Sequence, residues 1–563
     1  MFRRLLAGLL CLFALVAPVV AVVKTHVLAH HHPARAVGRA ASRVVTALPA
    51  PAVSPGPVAL HDRVVLVGPN AIDLVQGPTV VRSIPFAGGT TVGFESVVAA
   101  VADPGWLAVD GPGVFAVRAA VVQSPSTDLT FAAPAVREVR LVGLPEVYLA
   151  GDQAHARFDG VTVTSWDPAA GRPVLTPEAG RPFVLYQNGS RVDVANSEMA
   201  YLGSDRAPAV GVAWTKRSSG TVTDSRFDHN AVGAYVSLSD HFIMQRNTFE
   251  SNAKDGLQVR EGSTAALLDG NEASGNGGDG ILVTGASTGS TVSGNHVHDN
   301  AGDGIAVRLR SDNAKLTGNQ ADHNGVNGLT TSGSGGTSVT GNRSLANHVG
   351  INATDGSSAA VVQANQVAGN LVGIAIGDET TGTVVSANTV QGPGKLGILI
   401  AGPGTSVAGG SVSGATLGVD VRVSAVIDSL SLTQVSRGIA VRHSAVLDGR
   451  SLDVVADSIG IAFEPGGMAN VAGSNVRAIV PLSGGKLARH TGTSLSSTRR
   501  VAPLTIFGAA VLLVAVLVEL IRRVRERHDP PVAPAPPASI PGRRSAEPRD
   551  LPDLGHDVDV VRA

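Results

Sequence analysis

Short stretches in which apolar and polar residues alternate recur along the middle of the chain, and a glycine opens each of them. A typical unit is GNHVHDNAGDGIAVRLRSDNAKLT, in which three short strand-like segments are separated by turns at Gly and Asn. Alternation with a period of two is typical of β-strands. The opening glycines follow one another at intervals of 20–24 residues: Gly211, Gly233, Gly256, Gly280, Gly304, Gly328, Gly350, Gly373, Gly397, Gly418, Gly438 and Gly460.

A repeat of 20–24 residues is typical of β-solenoids and of leucine-rich repeats. The leucine pattern of the second class is absent, and three strands per unit indicate the first. The sequence therefore predicts an all-β fold, a right-handed, single-stranded parallel β-helix with regular coils over residues 201–482.

Two series of asparagines follow the glycine repeat in register. Stacked coils place equivalent residues above one another, so the side-chain amides are predicted to hydrogen-bond along the axis. Asn also tolerates left-handed turns, and we assign these series no catalytic role. The repeated Asp255-Gly256, Asp279-Gly280 and Asp303-Gly304 pairs are interpreted as turns rather than as a calcium ladder. The asparagines are Asn247, Asn271, Asn295, Asn319, Asn342, Asn365 and Asn388, and Asn252, Asn276, Asn300, Asn324, Asn347 and Asn370.

The alternation also divides each strand into inward and outward side chains. Positions one and three after the glycine, such as Leu257 and Val259, are apolar and are predicted to form the core. Positions two and four are then predicted to face outward, and in successive coils they include Tyr235, Gln258 and Arg260.

Cations on this outward face are candidates for binding an extended anionic sugar polymer, because arginine pairs well with carboxylates. Coils stack about 4.8 Å apart, so Arg260 and Arg308 are expected roughly 10 Å from each other along the axis. Ordinary solvated charges remain the alternative interpretation for each residue. The predicted substrate-binding residues are Lys216, Arg217, Gln258, Arg260, Arg308 and Arg310.

The segments that flank the regular repeat have different compositions. Residues 58–200 have weaker periodicity but many strand-like runs, and they are predicted to form a cap and irregular coils, since open solenoid ends need covering. Residues 33–57 are rich in Ala and Pro and are interpreted as a linker, and residues 483–500 are interpreted as a polar stalk.

Two apolar runs predict the topology. Arg3 and Arg4 precede an apolar stretch, so residues 1–32 are interpreted as a signal peptide or signal-anchor. Residues 501–521 have the length of a bilayer-spanning helix, and arginines follow at once, which predicts a disordered cytoplasmic tail over 522–563. The protein is thus expected at the cell membrane, with the β-helix outside the cytoplasm.

Charge and cysteine content exclude several classes of partner. The formal net charge is −1, which gives no reason to expect nucleic acid. The single cysteine, Cys11, lies in the N-terminal apolar run, so no disulfide is expected in the folded part. Neither a metal nor a cofactor is predicted.

Several stretches resemble a known family: VTVTSWDPAAGRP, RPFVLYQNGSRVDVANSEMAYLG, DSRFDHNAVGAYV and NTFESNAKDGLQVREGS. Over about residues 100–400 the chain resembles the periplasmic mannuronan C5-epimerases, β-helix enzymes of alginate biosynthesis. The resemblance implies an anionic polysaccharide partner. It also implies a mechanism in which a cation neutralises the uronate carboxylate, a base removes the proton on C5, and an acid returns one from the other face.

The family motif Tyr-Gly-x-Asp-Pro-His-Asp corresponds here to DGLQVRE. Asp255 stands at the position of Tyr, Gln258 at that of the first Asp, Arg260 at that of His, and Glu261 at that of the last Asp. One coil further on, Gly285 stands where the family has an arginine. Arginine stays protonated, so Arg260 is a poor general base and the motif departs from the family pattern.

Two functional hypotheses remain open on the sequence. In the first, the protein is a uronate C5-epimerase-like enzyme in which Glu261 accepts the proton and Tyr235 donates one from the preceding coil. His229 is an alternative catalytic residue, although its turn position also suits a structural or solvent-facing role. In the second, the protein is a non-catalytic polysaccharide-binding scaffold of an exopolysaccharide synthesis, export or assembly complex.

Overall fold

The fold is known from a computed structural model, which describes residues 63–143, 146–177, 180–204, 209–498 and 503–526. The predicted signal segment 1–32, the predicted linker 33–57 and residues 527–563 of the predicted tail lie outside the described residues.

Each coil contributes one strand to each of three parallel ladders, which we call sheets 1, 2 and 3 in chain order. Strand Leu257–Arg260 lies in sheet 1, Leu267–Asp269 in sheet 2 and Glu272–Ser274 in sheet 3. The next strand, Ile281–Val283, returns to sheet 1 and pairs in parallel with Leu257–Arg260. About 16 such turns form the solenoid, which confirms the predicted all-β parallel architecture.

Sheet 1 contains the strands that follow the repeat glycines. Its members are Arg63–Val67, Ala120–Gln123, Tyr148–Asp152, Phe183–Gln187, Gly211–Thr215, Val232–Ser237, Leu257–Arg260, Ile281–Val283, Ile305–Arg308, Asn327–Ser332, Val349–Thr354, Val372–Ile376, Leu396–Ile400, Leu417–Val421, the second halves of Ser431–Val441 and Asp453–Phe463, and Val480–Ser483.

Sheet 2 follows sheet 1 in every coil. Its members are Thr91–Gly93, Asp128–Ala132, His155–Asp159, Arg191–Ala195, Thr221–Thr223, Ile243–Gln245, Leu267–Asp269, Thr291–Ser293, Lys315–Thr317, Ser338–Thr340, Val361–Gln363, Val384–Ser386, Ser406–Ala408, Ala425–Asp428, Val446–Arg450, Met468–Ala472 and Arg489–Thr491.

Sheet 3 completes the coil, and two of its strands run on into sheet 1 without a break. Its members are Val114–Val117, Glu138–Val142, Thr162–Trp166, Glu198–Ala200, Arg226–Asp228, Thr248–Glu250, Glu272–Ser274, His296–His298, Gln320–Asp322, Arg343–Leu345, Gln366–Ala368, Thr389–Gln391, Ser411–Ser413, the first halves of Ser431–Val441 and Asp453–Phe463, Asn475–Ala478 and Ser494–Ser497.

The N-terminal part combines a cap with the first coils. Strands Ala71–Gln76 and Thr79–Pro85 continue from Arg63–Val67 as antiparallel hairpins, and Leu107–Gly111 pairs antiparallel with Val114–Val117. Helix Phe94–Val101 buries one apolar face in the core. This arrangement covers the end of the solenoid, which would otherwise expose apolar side chains and unpaired backbone.

The inward positions form the core that the alternation predicts. Leu257, Val259, Ile281 and Val283 are each 0% exposed and belong to one apolar cluster that runs the length of the solenoid. Burying one such side chain contributes about 1.5–3 kcal/mol relative to leaving it in water. The prediction of the inward positions is therefore confirmed for these coils, whereas Gln258, predicted to face solvent, is itself only 7% exposed.

The asparagine ladders are also confirmed. In the first series, Asn295 Nδ2 donates to Asn319 Oδ1 at 2.9 Å and to the carbonyl of Leu268 at 2.9 Å. In the second, Asn276 Nδ2 donates to Asn300 Oδ1 at 2.8 Å. These side chains are buried, so the ladders satisfy buried backbone groups at the corners of the coils.

Apart from Gly211, whose φ is 129°, the repeat glycines are required for space rather than for turn conformation, which corrects their interpretation as turn residues. Gly304 does not have a positive φ. A Cβ atom on it would lie 2.7 Å from the carbonyl oxygen of Gly328 and 2.8 Å from Asn324 Nδ2, both in the next coil. The glycine thus allows adjacent coils to approach closely where sheet 3 turns into sheet 1.

The solenoid continues through most of the segment that the sequence predicts to be a stalk. Strand Arg489–Thr491 pairs with Met468–Ala472, and Ser494–Ser497 pairs with Asn475–Ala478. The prediction of a stalk over 483–500 was wrong for these strands. Their sequences, RHT and SLSS, contain one apolar residue, so the alternation that marks the other coils is missing.

Helix Pro503–Glu526 belongs to a second unit of the chain and covers most of the predicted membrane segment 501–521. Among the residues that the structure describes, no helix is long and apolar enough to cross a bilayer, so the predicted transmembrane helix is not found there.

Candidate functional site

Two rows of outward side chains run along sheet 1. Tyr235 stands beside Gln258, and Gln258 stands beside Leu282 in the next coil. The second row contains Ser237 beside Arg260, and further along the axis Arg308 beside Ser332. The structure therefore brings Tyr235, Gln258, Arg260 and Arg308 to one face, as the alternation predicts.

The same face is apolar in the N-terminal coils. Phe183, Leu185 and Ala213 point outward and are buried in an apolar cluster separate from the core, and Tyr235 packs against that cluster. The polar part of the face therefore begins at Tyr235, which borders the apolar cluster on one side and Gln258 on the other.

A cation, a carboxylate and a phenol meet at this boundary, on two adjacent coils. Arg260 Cζ lies 5.7 Å from the centre of the Tyr235 ring, and Arg260 Nε lies 3.4 Å from Glu261 Oε1. Ser237 Oγ donates to Glu261 Oε2 at 2.5 Å. Burial raises the pKa of Tyr235, and the charge of Glu261 raises it further, so the phenol stays protonated at neutral pH and can donate.

Two polar atoms at this boundary are buried without a hydrogen-bond partner. Gln258 is 7% exposed, and its Nε2 donates to Asp255 Oδ2 at 2.6 Å. Among the described residues, no group hydrogen-bonds to Gln258 Oε1 or to Arg260 Nε. Glu261 Oε1 forms an ion pair with Arg260 Nε at 3.4 Å but does not form a hydrogen bond with it. An unsatisfied buried polar group costs about 1–3 kcal/mol, so these atoms mark a place where a ligand can supply partners.

Arg308 shares the face but is already paired with buried carboxylates. Its Nη1 lies 2.8 Å from Asp279 Oδ2, and its Nη2 lies 2.8 Å from Asp303 Oδ2. The prediction that Arg308 is free for substrate is therefore not supported by its environment, because a ligand carboxylate would have to displace these partners.

The aspartates form a third ladder, which their interpretation as turn residues missed. Asp255 Oδ1 accepts from the backbone N–H of Asp279, and Asp279 Oδ1 accepts from that of Asp303. Burial raises the pKa of Asp279 to about 7, and the charges of Asp303 and Asp255 add to this while Arg308 opposes it. The available signal was the 24-residue spacing of the aspartates together with Arg308 on the same face.

Four of the predicted residues lie at the corner between sheets 1 and 2. Lys216, Arg217, Glu261 and Arg310 have positive φ angles of 53°, 67°, 57° and 60°, and they turn the chain out of sheet 1. Lys216 Nζ is hydrogen-bonded to Gln187 Oε1 at 3.4 Å. Arg217 and Arg310 are exposed, so they border the outward face rather than lie in its two rows.

His229 lies at the other edge of sheet 1, after strand Arg226–Asp228 of sheet 3. Its Nδ1 is 2.6 Å from Asp228 Oδ1, its ring stacks on Tyr201 at 4.8 Å, and its carbonyl accepts from Arg181 Nη1. These contacts give His229 a structural environment. Glu261 lies in the next coil, after its sheet 1 strand, and therefore at the opposite corner.

A second groove lies between sheets 2 and 3 and is lined by Asn196, Glu198 and Thr248, among others. Both of its arginines are ion-paired: Arg246 with Asp224 at 2.7 Å, and Arg226 with Asp228, which lies beside the groove, at 3.1 Å. These charges have partners, whereas Arg260 Nε and Gln258 Oε1 have none among the described residues, so we take the boundary on sheet 1 as the candidate site.

The fold and a family model agree on the class of protein. A family model for the right-handed β-helix region matches residues 147–321, 233–390 and 307–412. These residues form a right-handed β-helix, and part of the chain is similar in sequence to the mannuronan C5-epimerases. The predicted resemblance is therefore confirmed.

The sequence relatives are distant and cover part of the chain. The mannuronan C5-epimerase of Pseudomonas aeruginosa is 26% identical over 174 residues, which are 28% of this chain and 32% of that protein. The enzyme of Pseudomonas fluorescens is 25% identical over 181 residues, 30% of this chain and 34% of that protein. The chain thus spans about a third of the length of the curated relatives it matches.

Among solved structures, that of the periplasmic alginate epimerase AlgG is similar in fold. It is 18% identical, and the match covers 72% of this chain and 83% of that chain with a TM-score of 0.46.

Proposed function

We propose that the outward face of sheet 1, from Tyr235 onward, binds an anionic polysaccharide, and that the protein acts on it as a uronate C5-epimerase does. The observation that carries the proposal is the guanidinium of Arg260, which faces outward, is partly exposed, and keeps Nε without a hydrogen-bond partner among the described residues. The curated relatives named above are epimerases of mannuronan, which supports the substrate class.

Groups around Arg260 match the parts of a uronate residue. The guanidinium offers a charged donor pair for the carboxylate. Gln258 Oε1 is buried and has no hydrogen-bond partner among the described residues, so it can accept from a sugar hydroxyl once the side chains that cover it move aside. The ring of Tyr235 offers an apolar surface to a sugar face. A polymer that runs along the solenoid axis meets a new coil about every 4.8 Å, so further residues of the rows contact its neighbouring sugars.

The chemistry follows from the same cluster. Arg260 neutralises the uronate carboxylate, which makes the proton on C5 more acidic. Glu261 then accepts that proton, and the protonated phenol of Tyr235 returns one to the other face of the sugar. His229 has no part in this scheme, because its ring is held by Asp228 and Tyr201 at the far edge of the sheet.

A second candidate function is a polysaccharide-binding scaffold without catalysis. It is favoured by one observation: both oxygens of Glu261 already have partners, Ser237 on one side and Arg260 on the other. In this case Arg260 binds the polymer and no proton leaves C5. Synthesis or export proteins of an exopolysaccharide are the partners that such a scaffold serves.

We also propose that the protein is held at the cell membrane by residues 501–521, with the β-helix outside the cytoplasm and the C-terminal tail inside. The apolar run and the arginines that follow it support this placement. Protease added to intact cells tests it: the β-helix is expected to be cleaved or shed while an epitope after residue 527 stays protected, and protection of the β-helix contradicts it.

The decisive experiment incubates the protein with polymannuronate in deuterated water and follows deuterium at C5 by NMR. The enzyme hypothesis expects incorporation that Glu261→Gln abolishes while binding persists. The scaffold hypothesis expects binding without incorporation. In both, Arg260→Ala weakens binding about 10-fold or more, because a hydrogen-bonded ion pair is lost.

Arg157→Ala is the matched control, since Arg157 is an exposed arginine on sheet 2 that is paired with Asp159. It is expected to leave binding unchanged. Absence of binding to polyuronates, or equal binding by the Arg260→Ala and parent proteins, contradicts both hypotheses.

A further inference from the structure

A cluster of two histidines and a glutamate lies on sheet 3, on a different face from the polysaccharide site. Strands Glu272–Ser274 and His296–His298 are adjacent, with Glu272 beside His296 and Ser274 beside His298. Val297, between the histidines, is 0% exposed and points into the core. Both imidazoles therefore point out of the solenoid, on the same side as Glu272.

The possible ligand atoms of Glu272, His296 and His298 all lie within 4.8 Å of one another. His298 Nε2 is 3.3 Å from Glu272 Oε1, and His296 Nε2 is 3.2 Å from Asp322 Oδ1. Bonds of 2.0–2.1 Å to a tetrahedral Zn²⁺ separate neighbouring ligand atoms by about 3.3 Å. The distance between Glu272 and His298 equals that separation, and the remaining ligand atoms lie within 4.8 Å.

A further carboxylate orients one of the imidazoles. Asp299 Oδ2 lies 2.8 Å from His298 Nδ1, on the side of the ring away from Glu272. When the Nδ1–H of His298 donates a hydrogen bond to Asp299, the neutral ring has its unprotonated nitrogen, Nε2, on the side of the cluster. Metal-binding histidines in proteins are oriented in this way by carboxylates.

Ion pairing of protonated histidines is the competing interpretation. Although burial lowers the pKa of His298, hydrogen bonds to Asp299 and Glu272 raise it above its ordinary value. That interpretation does not account for the contact between the histidines, whose ring centres are 4.3 Å apart. Two imidazolium cations at that distance repel each other, whereas two neutral imidazoles can share one cation.

We propose that Glu272, His296 and His298 bind a divalent transition-metal ion, for which Zn²⁺ is the best fit. Two imidazoles and one carboxylate are ligands that suit zinc, and three protein ligands leave one position open. Asp322, next to His296, is placed to bond the water or ligand in that position. The bound ion joins two adjacent coils. This proposal stands independently of polysaccharide binding on sheet 1.

The test titrates the full chain, after chelator treatment, with Zn²⁺ by calorimetry and with Co²⁺ by visible absorption. The chain also carries His30, His31 and His32 in a row, so a variant with these three changed to alanine serves as the parent. One saturable ion per chain is expected. His296→Ala and His298→Ala are each expected to lower the affinity for Zn²⁺ about 100-fold, and Asp299→Asn is expected to lower it about 10- to 100-fold.

His443→Ala is the matched control, because His443 Nδ1 also contacts a carboxylate, Glu464 Oε2, at 2.7 Å. It is expected to bind Zn²⁺ as the parent does. His298→Gln, with folding checked by circular dichroism, replaces His298→Ala if the alanine variant unfolds. Absence of saturable binding in the parent, or binding unaffected by changes at His296 and His298, overturns the proposal.

Discussion

Arg308 Nη2 donates to Asp303 Oδ2 at 2.8 Å, and both residues belong to the same coil. Asp303 lies just before sheet 1 strand Ile305–Arg308. Asp303 is only 2% exposed, so this pair is shielded from water on the aspartate side. Asp279, one coil earlier, is the second partner of the guanidinium. A single arginine therefore compensates two buried carboxylates in neighbouring coils.

We expect Arg308→Ala to lower the free energy of unfolding by about 3–5 kcal/mol, because it leaves Asp279 and Asp303 buried without a counter-ion. Urea denaturation measures the loss. The double variant Arg308→Ala/Asp279→Asn is expected to lose less than the single variant, since one of the two charges has gone. A single-variant loss below about 1 kcal/mol contradicts the pairing.

The pH dependence of stability is expected to change in Asp279→Asn. Burial raises the pKa of Asp279 from 3.8 to about 7, so the folded protein holds this proton more tightly than the unfolded chain does. Its contribution to stability is therefore present at low pH and is lost as the pH rises from about 4 through 7.

The measurement compares the two proteins by denaturation between pH 5 and pH 8. The stability of the parent minus that of Asp279→Asn should fall across this range, by at most about 1.4 kcal/mol per pH unit. Asparagine keeps an acceptor for the backbone N–H of Asp303 and has no charge to lose. Parallel curves would show that Asp279 is ionised throughout.

The asparagine ladder predicts a large cost for Asn295→Ala. The change removes an acceptor for two donors of Asn271 and a donor to Asn319 and Leu268, all in a buried corner. We expect a loss of about 2–4 kcal/mol, since each buried group left unpaired costs about 1–3 kcal/mol. Asn475→Ala is the control, because Asn475 makes one exposed bond to Asp453. Equal effects of the two changes are inconsistent with a stabilising ladder.

Gly304→Ala tests whether the repeat glycines are required for close approach of the coils. The added methyl would meet the carbonyl of Gly328 at 2.7 Å, so the coils must separate, at a cost of about 1–3 kcal/mol. Gly335→Ala is the matched control, because a Cβ atom on Gly335 would lie 3.5 Å from its nearest neighbour, the carbonyl oxygen of Ser358, and the φ of Gly335 is not positive. Thermal unfolding should show a lowered Tm for Gly304→Ala and an unchanged Tm for Gly335→Ala. A Gly304→Ala variant with the Tm of the parent would contradict the requirement for close approach.

Much of the fold was predictable because each coil contacts only its neighbours. The alternation in Leu257 and Val259, and the Asn spacing at Asn271 and Asn295, describe contacts that repeat from one coil to the next through the regular part of the solenoid. A local pattern with a constant period is then enough to define the whole solenoid. The coil over the predicted stalk was missed because the alternation is missing from its strands.

The candidate site was predictable only in part. Alternation placed Tyr235, Gln258 and Arg260 on one face, which the register of sheet 1 confirms. It did not distinguish Arg260 from Arg308, because the partners of Arg308 lie partly in another coil. The alternation also did not predict that His296 and Glu272 are neighbours, because they are 24 residues apart in the sequence and their contact depends on the register of sheet 3.

By itself, the sequence determined the solenoid, its inward core, its asparagine ladders and the family it resembles, since all of these depend on spacing along the chain. Only the tertiary structure decided which charged side chains meet. The residues that face each other across coils are set by the number of residues per coil, and their side chains are then positioned by burial and by the nearest opposite charge. For that reason Arg308 is paired with aspartates, while Nε of Arg260, in the same row, has no hydrogen-bond partner among the described residues.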